Sequence, residues 1–230
     1  MLIIDGDYPM AYGAISLERD LTLPIRETRG DPILPHRPVD WDTSRDGTMA
    51  SIPEMRQAEM AVALVKIGDN CILRPGHDHG SVKTDHHSYA NGKAHLAYYQ
   101  ILEASGYTSL LNTSTEFKTH MSIWENATDY SELPVGMVLG MEGADPITWP
   151  QQVHEWFELG LRVISLSHYG VSRYSHGTGT GIDGGLLPPA TELLTEMESL
   201  GMILDVSHTS DEAVRQELDM WNGPVLASHQ

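Results

Sequence analysis

Short apolar runs alternate with longer mixed segments over the second half of the chain. Four of these runs have the composition of buried strands: VGMVLGMEG (135–143), LRVISLSH (161–168), MILDVSH (202–208) and PVLASH (224–229). Each is nearly continuous in apolar residues until its polar end, which is typical of strands that a parallel sheet buries on both faces. The pattern therefore predicts four parallel strands in this half.

Helix signals separate the four runs. Helix starts are indicated at Asp145-Pro146, at Pro188-Pro189 and at the capping box formed by Thr209 and Glu212. Gly160 and Gly201 stand where helices would end, directly before the next strand. The repeated order of strand, loop, helix and glycine predicts an α/β fold, in which helices cover a parallel sheet.

The first half is less regular. LIID (2–5) predicts a strand, and PEMRQAEMAVALVKI (53–67) predicts a short helix that runs into another strand. Residues 72–90 predict a polar, His-rich loop, and residues 90–106 and 114–127 predict helices. We count six strands in all, which fits either an open doubly wound sheet or part of a (β/α)8 barrel.

Composition narrows the class of protein. The 230 residues can form one sizeable core, and no low-complexity linker divides them, so we predict one domain over 1–230. The net charge of −18 makes nucleic acids and anionic membranes poor partners. Cys71 is the only cysteine, which excludes a cysteine-based zinc cluster. The N-terminus lacks signal-peptide features, so we expect a cytoplasmic protein.

Polar side chains with metal-binding or acid–base chemistry stand at the ends of the predicted strands. They are Asp5 and Asp7, Glu142, His168, His208 and His229. Ligand-binding groups gather at the carboxyl ends of parallel strands in both candidate folds. A single histidine is more often structural, but histidines and a carboxylate on one edge are the ligands that Zn²⁺ prefers. The set therefore predicts a metal site.

Three other features are weaker. His77, His79, His86 and His87 could form a second metal site, but we expect a polar loop over the barrel mouth instead. The segment GTGTGIDGG (177–185) lacks the spacing of nucleotide-binding loops. The Ser-His pairs predict no catalytic dyad, because adjacent residues of a strand point to opposite faces.

Five stretches, in this order, resemble the membrane (renal) dipeptidase family of zinc peptidases: LIIDG, GMEGADPI, GLRVISLSH, LGMILDVSHTS and PVLASH. The resemblance implies a (β/α)8 TIM barrel of the metal-dependent hydrolase type, with about six strand–helix units in this chain. It also implies two bridged zinc ions, and hydrolysis of dipeptides, including some with a C-terminal D-residue, by metal-activated water.

The resemblance also implies roles for individual residues. Glu142 corresponds to the catalytic carboxylate that bridges both metals. His208 and His229 correspond to the imidazole ligands of the second metal. His168 corresponds to the catalytic histidine that contacts the substrate near the scissile carbonyl.

The start of the chain departs from the family pattern, which is Asp-Gly-His-x-Asp and holds the first metal. Aligned without a gap, Asp7 replaces the histidine and Pro9 replaces the aspartate, and proline has no ligand atom. Aligned with a gap, Asp7 is the retained aspartate and the histidine is missing. Asp7 is therefore a tentative ligand, the first site is weakened or absent, and we expect one or two Zn²⁺ ions.

Length is the second departure. The family continues for two more barrel units, which carry a substrate-binding arginine and a proton-handling aspartate. We expect a fragment of a longer product, or a chain whose open sheet edges are covered by a partner such as a second copy.

Two alternatives to a dipeptidase follow from these departures. The first is a non-catalytic relative with at most one metal that acts as a binding protein, and the second is a one-metal hydrolase with another substrate.

Overall fold

The computed structural model describes residues 1–30, 48–68 and 84–229. Strands and helices alternate along these residues. The strands are β1 (Ile3–Tyr8), β2 (Met60–Gly68), β3 (Thr108–Leu110), β4 (Val135–Glu142), β5 (Leu161–Ser165), β6 (Ile203–Asp205) and β7 (Val225–Leu226). The helices are α1 (Met10–Leu17), α2 (Ile25–Gly30), α3 (Ile52–Gln57), α4 (Asp85–Ala104), α5 (Ser114–Asn126), α6 (Val153–Glu158), α7 (Ala190–Ser199) and α8 (Asp211–Met220).

The strands form a sheet in the order β1-β2-β4-β5-β6-β7, and β3 also pairs with β4. The pairs β1–β2, β3–β4, β4–β5, β5–β6 and β6–β7 are all parallel. Parallel strands end at the same edge of a sheet, so the residues that follow β4, β5, β6 and β7 share one edge. This arrangement confirms the predicted α/β class.

Two compact units make up the chain. The first contains Met1–Lys66 and His95–Val138, and the second contains Ile67–Ala94 and Leu139–Gln230. Strand β4 begins in the first unit and ends in the second, whereas β5, β6 and β7 lie wholly in the second. The interpretation of 1–230 as one domain stays a prediction. Within the described ranges, no helix combines the length and the apolar character needed to cross a membrane.

The predicted short helix followed by a strand over 53–67 is confirmed. Helix α3 ends at Gln57, Glu59 adopts a left-handed backbone with φ 58°, and β2 follows. Every β2 residue from Met60 to Ile67 is buried, Lys66 included. The nearly continuous apolar run of β2 is typical of a strand that a parallel sheet buries on both faces.

The His-rich segment differs from the predicted loop where it is described. Helix α4 begins at Asp85, five residues earlier than expected, so His86 and His87 lie in its first turn. The Thr84 hydroxyl accepts a hydrogen bond from the His87 backbone N–H at 3.2 Å, which stabilises this helix start. His77 and His79 fall outside the described residues.

A buried acid distinguishes helix α8. The Glu217 side chain is fully buried, and burial, with a smaller contribution from the charge of Asp205, raises its pKa to about 8. The Thr209 hydroxyl donates to the Val206 carbonyl at 2.7 Å and lies 3.5 Å from Glu217 Oε2. A protonated Glu217 can therefore donate back to the Thr209 oxygen. This acid is protonated in the folded protein at neutral pH.

We predict that Glu217 lowers stability as the pH rises. Between its ordinary pKa of 4.5 and its folded value of about 8, the unfolded chain releases this proton while the folded chain keeps it. The free energy of unfolding should therefore fall by up to roughly 1.4 kcal/mol per pH unit in this window through this residue. Glu217→Gln should remove that contribution, so the variant gains stability relative to the natural protein as pH rises toward 8.

Urea unfolding at several pH values between 5 and 8 measures the effect. Asp219→Asn, an exposed acid on the same helix, is the matched control and should leave the pH dependence unchanged. Parallel stability curves for Glu217→Gln and the natural protein would contradict a protonated Glu217.

Candidate metal centre

Three side chains converge at the carboxyl edge of the second unit's strands. Glu142 is the last residue of β4, His208 follows β6, and His229 follows β7. Glu142 Oε1 lies 3.3 Å from His208 Nε2 and 3.6 Å from His229 Nε2, and the two Nε2 atoms are 2.7 Å apart. Two imidazole nitrogens and a carboxylate oxygen suit Zn²⁺, which takes three such protein ligands in many catalytic sites.

The electrostatics of the group favour a cation. Two imidazole lone pairs at this separation repel each other unless a proton or a metal ion lies between or beside them. Glu142 adds a negative charge, and its side chain is only 12% exposed, so water screens it weakly. The three residues therefore fit a divalent ion. Their individual roles as ligands stay predictions.

The local backbone explains how the ligands reach the same point. Gly143, directly after Glu142, has φ +78°, which turns the chain sharply away from the strand end. His208 has φ +68°, a conformation that costs a non-glycine residue about 1 kcal/mol. Its carbonyl accepts a hydrogen bond from the Thr178 backbone N–H at 2.8 Å, which holds this turn. Strain of this kind commonly occurs at functional sites.

A hydrogen-bond chain orients the His229 ring. The Ser228 hydroxyl donates to Asp205 Oδ2 at 2.6 Å, so its oxygen can accept the His229 Nδ1–H at 3.0 Å. The proton on Nδ1 leaves the Nε2 lone pair directed at Glu142 and His208. A metal-binding histidine usually donates its second nitrogen in this way, which fixes its tautomer.

The Ser228–His229 contact corrects a prediction. Adjacent residues were expected to point to opposite faces, yet these two side chains are hydrogen-bonded. Strand β7 ends at Leu226, so both residues lie beyond it and the alternation of a strand does not apply. Ser228 is nonetheless no nucleophile of a dyad, because its proton is directed to Asp205.

His168 lies beside the three-residue group. Its Nε2 is 3.9 Å from Glu142 Oε2, the carboxylate oxygen that faces away from the other two histidines. Its ring meets the His208 ring edge-on, with 4.4 Å between centroids. Tyr169, which was not predicted from the sequence, also contacts these rings. The centroid of its ring lies 4.4 Å from that of His168 and 4.5 Å from that of His208. No sequence pattern marked it beyond its place after the SLSH run.

The glycine-rich segment supports this side of the site. A side chain at Gly177 would place its Cβ 2.1 Å from the His168 carbonyl oxygen, and one at Gly179 would meet the Tyr169 Cβ at 2.9 Å. Only glycine allows the segment to approach the two residues so closely. Close packing against His168 and Tyr169 therefore explains the glycines at 177 and 179.

Asp7 and the α4 histidines are not members of the group found among the described residues. Among the described residues, the group of potential metal ligands contains Glu142, His208 and His229. Asp7 lies in the first unit, with its Oδ1 3.4 Å from Lys66 Nζ. Its role as a ligand stays a prediction, as does the number of ions.

We predict that Ser228 contributes to metal affinity. Ser228→Ala removes the acceptor that holds the proton of His229 on Nδ1, so Zn²⁺ affinity should fall about 10- to 100-fold. Ser199→Ala is the matched control, because the Ser199 hydroxyl donates to the Glu196 carbonyl at 2.8 Å at the exposed end of α7. Competition titration with a chromophoric chelator measures both. Equal affinities for the two variants would contradict the orienting role of Ser228.

Comparison with known proteins identifies the family. The model of the membrane dipeptidase family, peptidase family M19, matches residues 88–230, more than half of the chain. Curated relatives include an uncharacterised dipeptidase of Schizosaccharomyces pombe, 31% identical over 104 residues that cover 44% of this chain and 25% of the relative. Dipeptidase 3 of Mus musculus is 31% identical over 100 residues, which cover 40% of this chain and 20% of the relative.

Solved structures show the same fold. The dipeptidase AC, a metallopeptidase of family M19, matches with a TM-score of 0.72 at 18% identity, over 100% of this chain and 63% of its own. A Rhodobacter sphaeroides metallopeptidase bound to a phosphinate mimic of L-Ala-D-Ala matches with a TM-score of 0.71 at 17% identity. The match covers 100% of this chain and 65% of that protein's chain.

The chain thus spans less than two thirds of the length of these relatives and structures. The likenesses confirm the predicted barrel class, with about six strand–helix units present. The family match and the shared fold agree, and the chain belongs to the membrane dipeptidase family, peptidase family M19.

Proposed function

We propose that this protein is a metal-dependent dipeptidase whose divalent ion, Zn²⁺ in the first instance, is held by Glu142, His208 and His229. The convergence of these three ligand atoms within 4.8 Å of one another is the observation that carries the proposal. Relatives named dipeptidases, and a metallopeptidase of similar fold that binds a dipeptide mimic, support a dipeptide as the substrate.

The chemistry divides between the ion and the chain. A bound divalent ion lowers the pKa of water toward neutrality and polarises a carbonyl group. Glu142 supplies a weakly screened negative charge that would help to hold the ion and could accept a proton from water. His168, at the outer oxygen of Glu142, lies where it can donate a hydrogen bond to a substrate carbonyl, and Tyr169 covers the adjoining side of the site.

A binding protein without catalytic activity is the second candidate. The replacement of the family's histidine and aspartate by Asp7 and Pro9 favours it, because a dinuclear centre needs both positions filled. A one-metal hydrolase with another substrate is a third candidate, since one ion suffices to activate water. A cytoplasmic location and a homodimer also stay predictions.

Metal content and dipeptide hydrolysis test the proposal together. After reconstitution with Zn²⁺ or Co²⁺, we expect at least one ion per chain and hydrolysis within a panel that pairs L-Ala-L-Ala with L-Ala-D-Ala. His208→Ala with His229→Ala should abolish both, because one carboxylate cannot hold the ion. Elemental analysis and release of free amino acid are the measurements.

Two exposed histidines provide the matched control, since His86→Ala with His154→Ala removes the same side chains elsewhere in the chain. That variant should keep the metal and the activity. A reconstituted natural protein with no bound metal would overturn the proposal. Bound metal without hydrolysis of any dipeptide would favour the binding protein or a different substrate.

Substitution of His168 distinguishes a role in substrate contact from a role in metal binding. Because it lies outside the three-residue group, His168→Ala should keep the metal content while kcat/KM falls about 10²- to 10³-fold, the usual loss for one removed donor. Glu142→Gln should lose metal and activity together. Loss of metal in His168→Ala would instead assign His168 as a ligand.

A further inference from the structure

A buried lysine stands beside Asp7. Lys66 lies near the end of β2, its side chain is 2% exposed, and its Nζ is 3.4 Å from Asp7 Oδ1. Lysine is almost never buried to this extent unless an opposite charge pairs with it. The Asp7 side chain is 20% exposed, so water screens this pair only in part.

The backbone around the pair is fixed by another buried residue. The Tyr99 hydroxyl donates to the Lys66 carbonyl at 2.9 Å and accepts from the Ala11 backbone N–H at 3.1 Å. Tyr99 itself is fully buried in the first unit. One phenol thus connects the end of β2, which carries Lys66, to the start of α1, and Asp7 lies in β1 three residues before α1 begins. The pair is therefore built into the fold.

The residues that flank Asp7 in the sequence supply few other ligands. The Asp5 carboxylate accepts the Asp7 backbone N–H at 2.8 Å, and Pro9 has no donor atom in its side chain. A protonated lysine has no lone pair to give to a metal, and its positive charge repels a divalent ion at the same carboxylate.

We propose that Asp7 is the counter-ion of Lys66 and not a metal ligand, so that the chain holds a single divalent ion, at Glu142, His208 and His229. This inference rests on the proposed function, because the single ion is the one assigned there to Glu142, His208 and His229. The two-zinc centre implied by the family does not fit the residues at the start of this chain. The ammonium group of Lys66 supplies the positive charge at Asp7.

Metal stoichiometry is the first test. Saturation with Co²⁺, followed by elemental analysis, should give one ion per chain in the natural protein and in Asp7→Asn. The visible absorption spectrum of the bound Co²⁺ should be the same in both, because its ligands are unchanged. Glu142→Gln is the comparison variant and should lose the ion. Two ions in the natural protein and one in Asp7→Asn would overturn the inference.

Thermal unfolding without metal is the second test. Asp7→Asn leaves the buried Lys66 charge without its partner and should lower the melting temperature by roughly 6 °C or more. Lys66→Met leaves the partly exposed Asp7 charge and should lower the melting temperature by less. The double variant should lose clearly less than the sum of the two, and it also provides a folded protein for metal binding if Asp7→Asn is too unstable. Additive losses would overturn the pairing.

The two tests separate this inference from the proposed function. A natural protein that binds no ion would overturn the proposed function and the single-ion statement, whereas the thermal cycle decides the Lys66–Asp7 pair without any metal. One bound ion without dipeptide hydrolysis would support the inference while contradicting a dipeptidase.

Discussion

The candidate metal centre depends on the buried carboxylate of Asp205. Its Oδ1 accepts the backbone N–H groups of Ser207 and Ser228, each at 3.1 Å, and its Oδ2 accepts the Ser228 hydroxyl. Asp205 ends β6, and these three hydrogen bonds attach the segment after β7 to the segment after β6. His208 and His229 follow directly on these segments, so one carboxylate holds the two imidazoles side by side.

The protein stabilises its buried acids in three different ways. Asp205 accepts three hydrogen bonds, Glu217 is protonated, and Asp7 is paired with the ammonium of Lys66. Each solution removes the cost of an unpaired negative charge in a medium of low dielectric constant. Glu142 differs, because its neighbours are His168, His208 and His229. This is the environment in which a divalent cation is the natural counter-ion.

Much of the fold was predictable because the second half of the chain has consistent local signals. The runs before Glu142, His168 and His208 are strands, as expected, since apolar continuity and flanking helix signals agree there. Strand β2 was also expected, because a nearly continuous apolar run follows the short helix before it. The short β3 (Thr108–Leu110) was missed, since three residues carry too little pattern to detect.

The amino-acid sequence by itself determined which polar residues end the strands, the parallel arrangement that gathers them, and the family pattern from which Asp7 and Pro9 depart. Only the tertiary structure decided what each side chain contacts. The Ser228–His229 hydrogen bond arises because β7 ends early, and the Lys66–Asp7 pair joins residues far apart in the chain. Spacing along a sequence specifies the edge of a sheet, whereas hydrogen bonds and ion pairs depend on side-chain positions that packing sets.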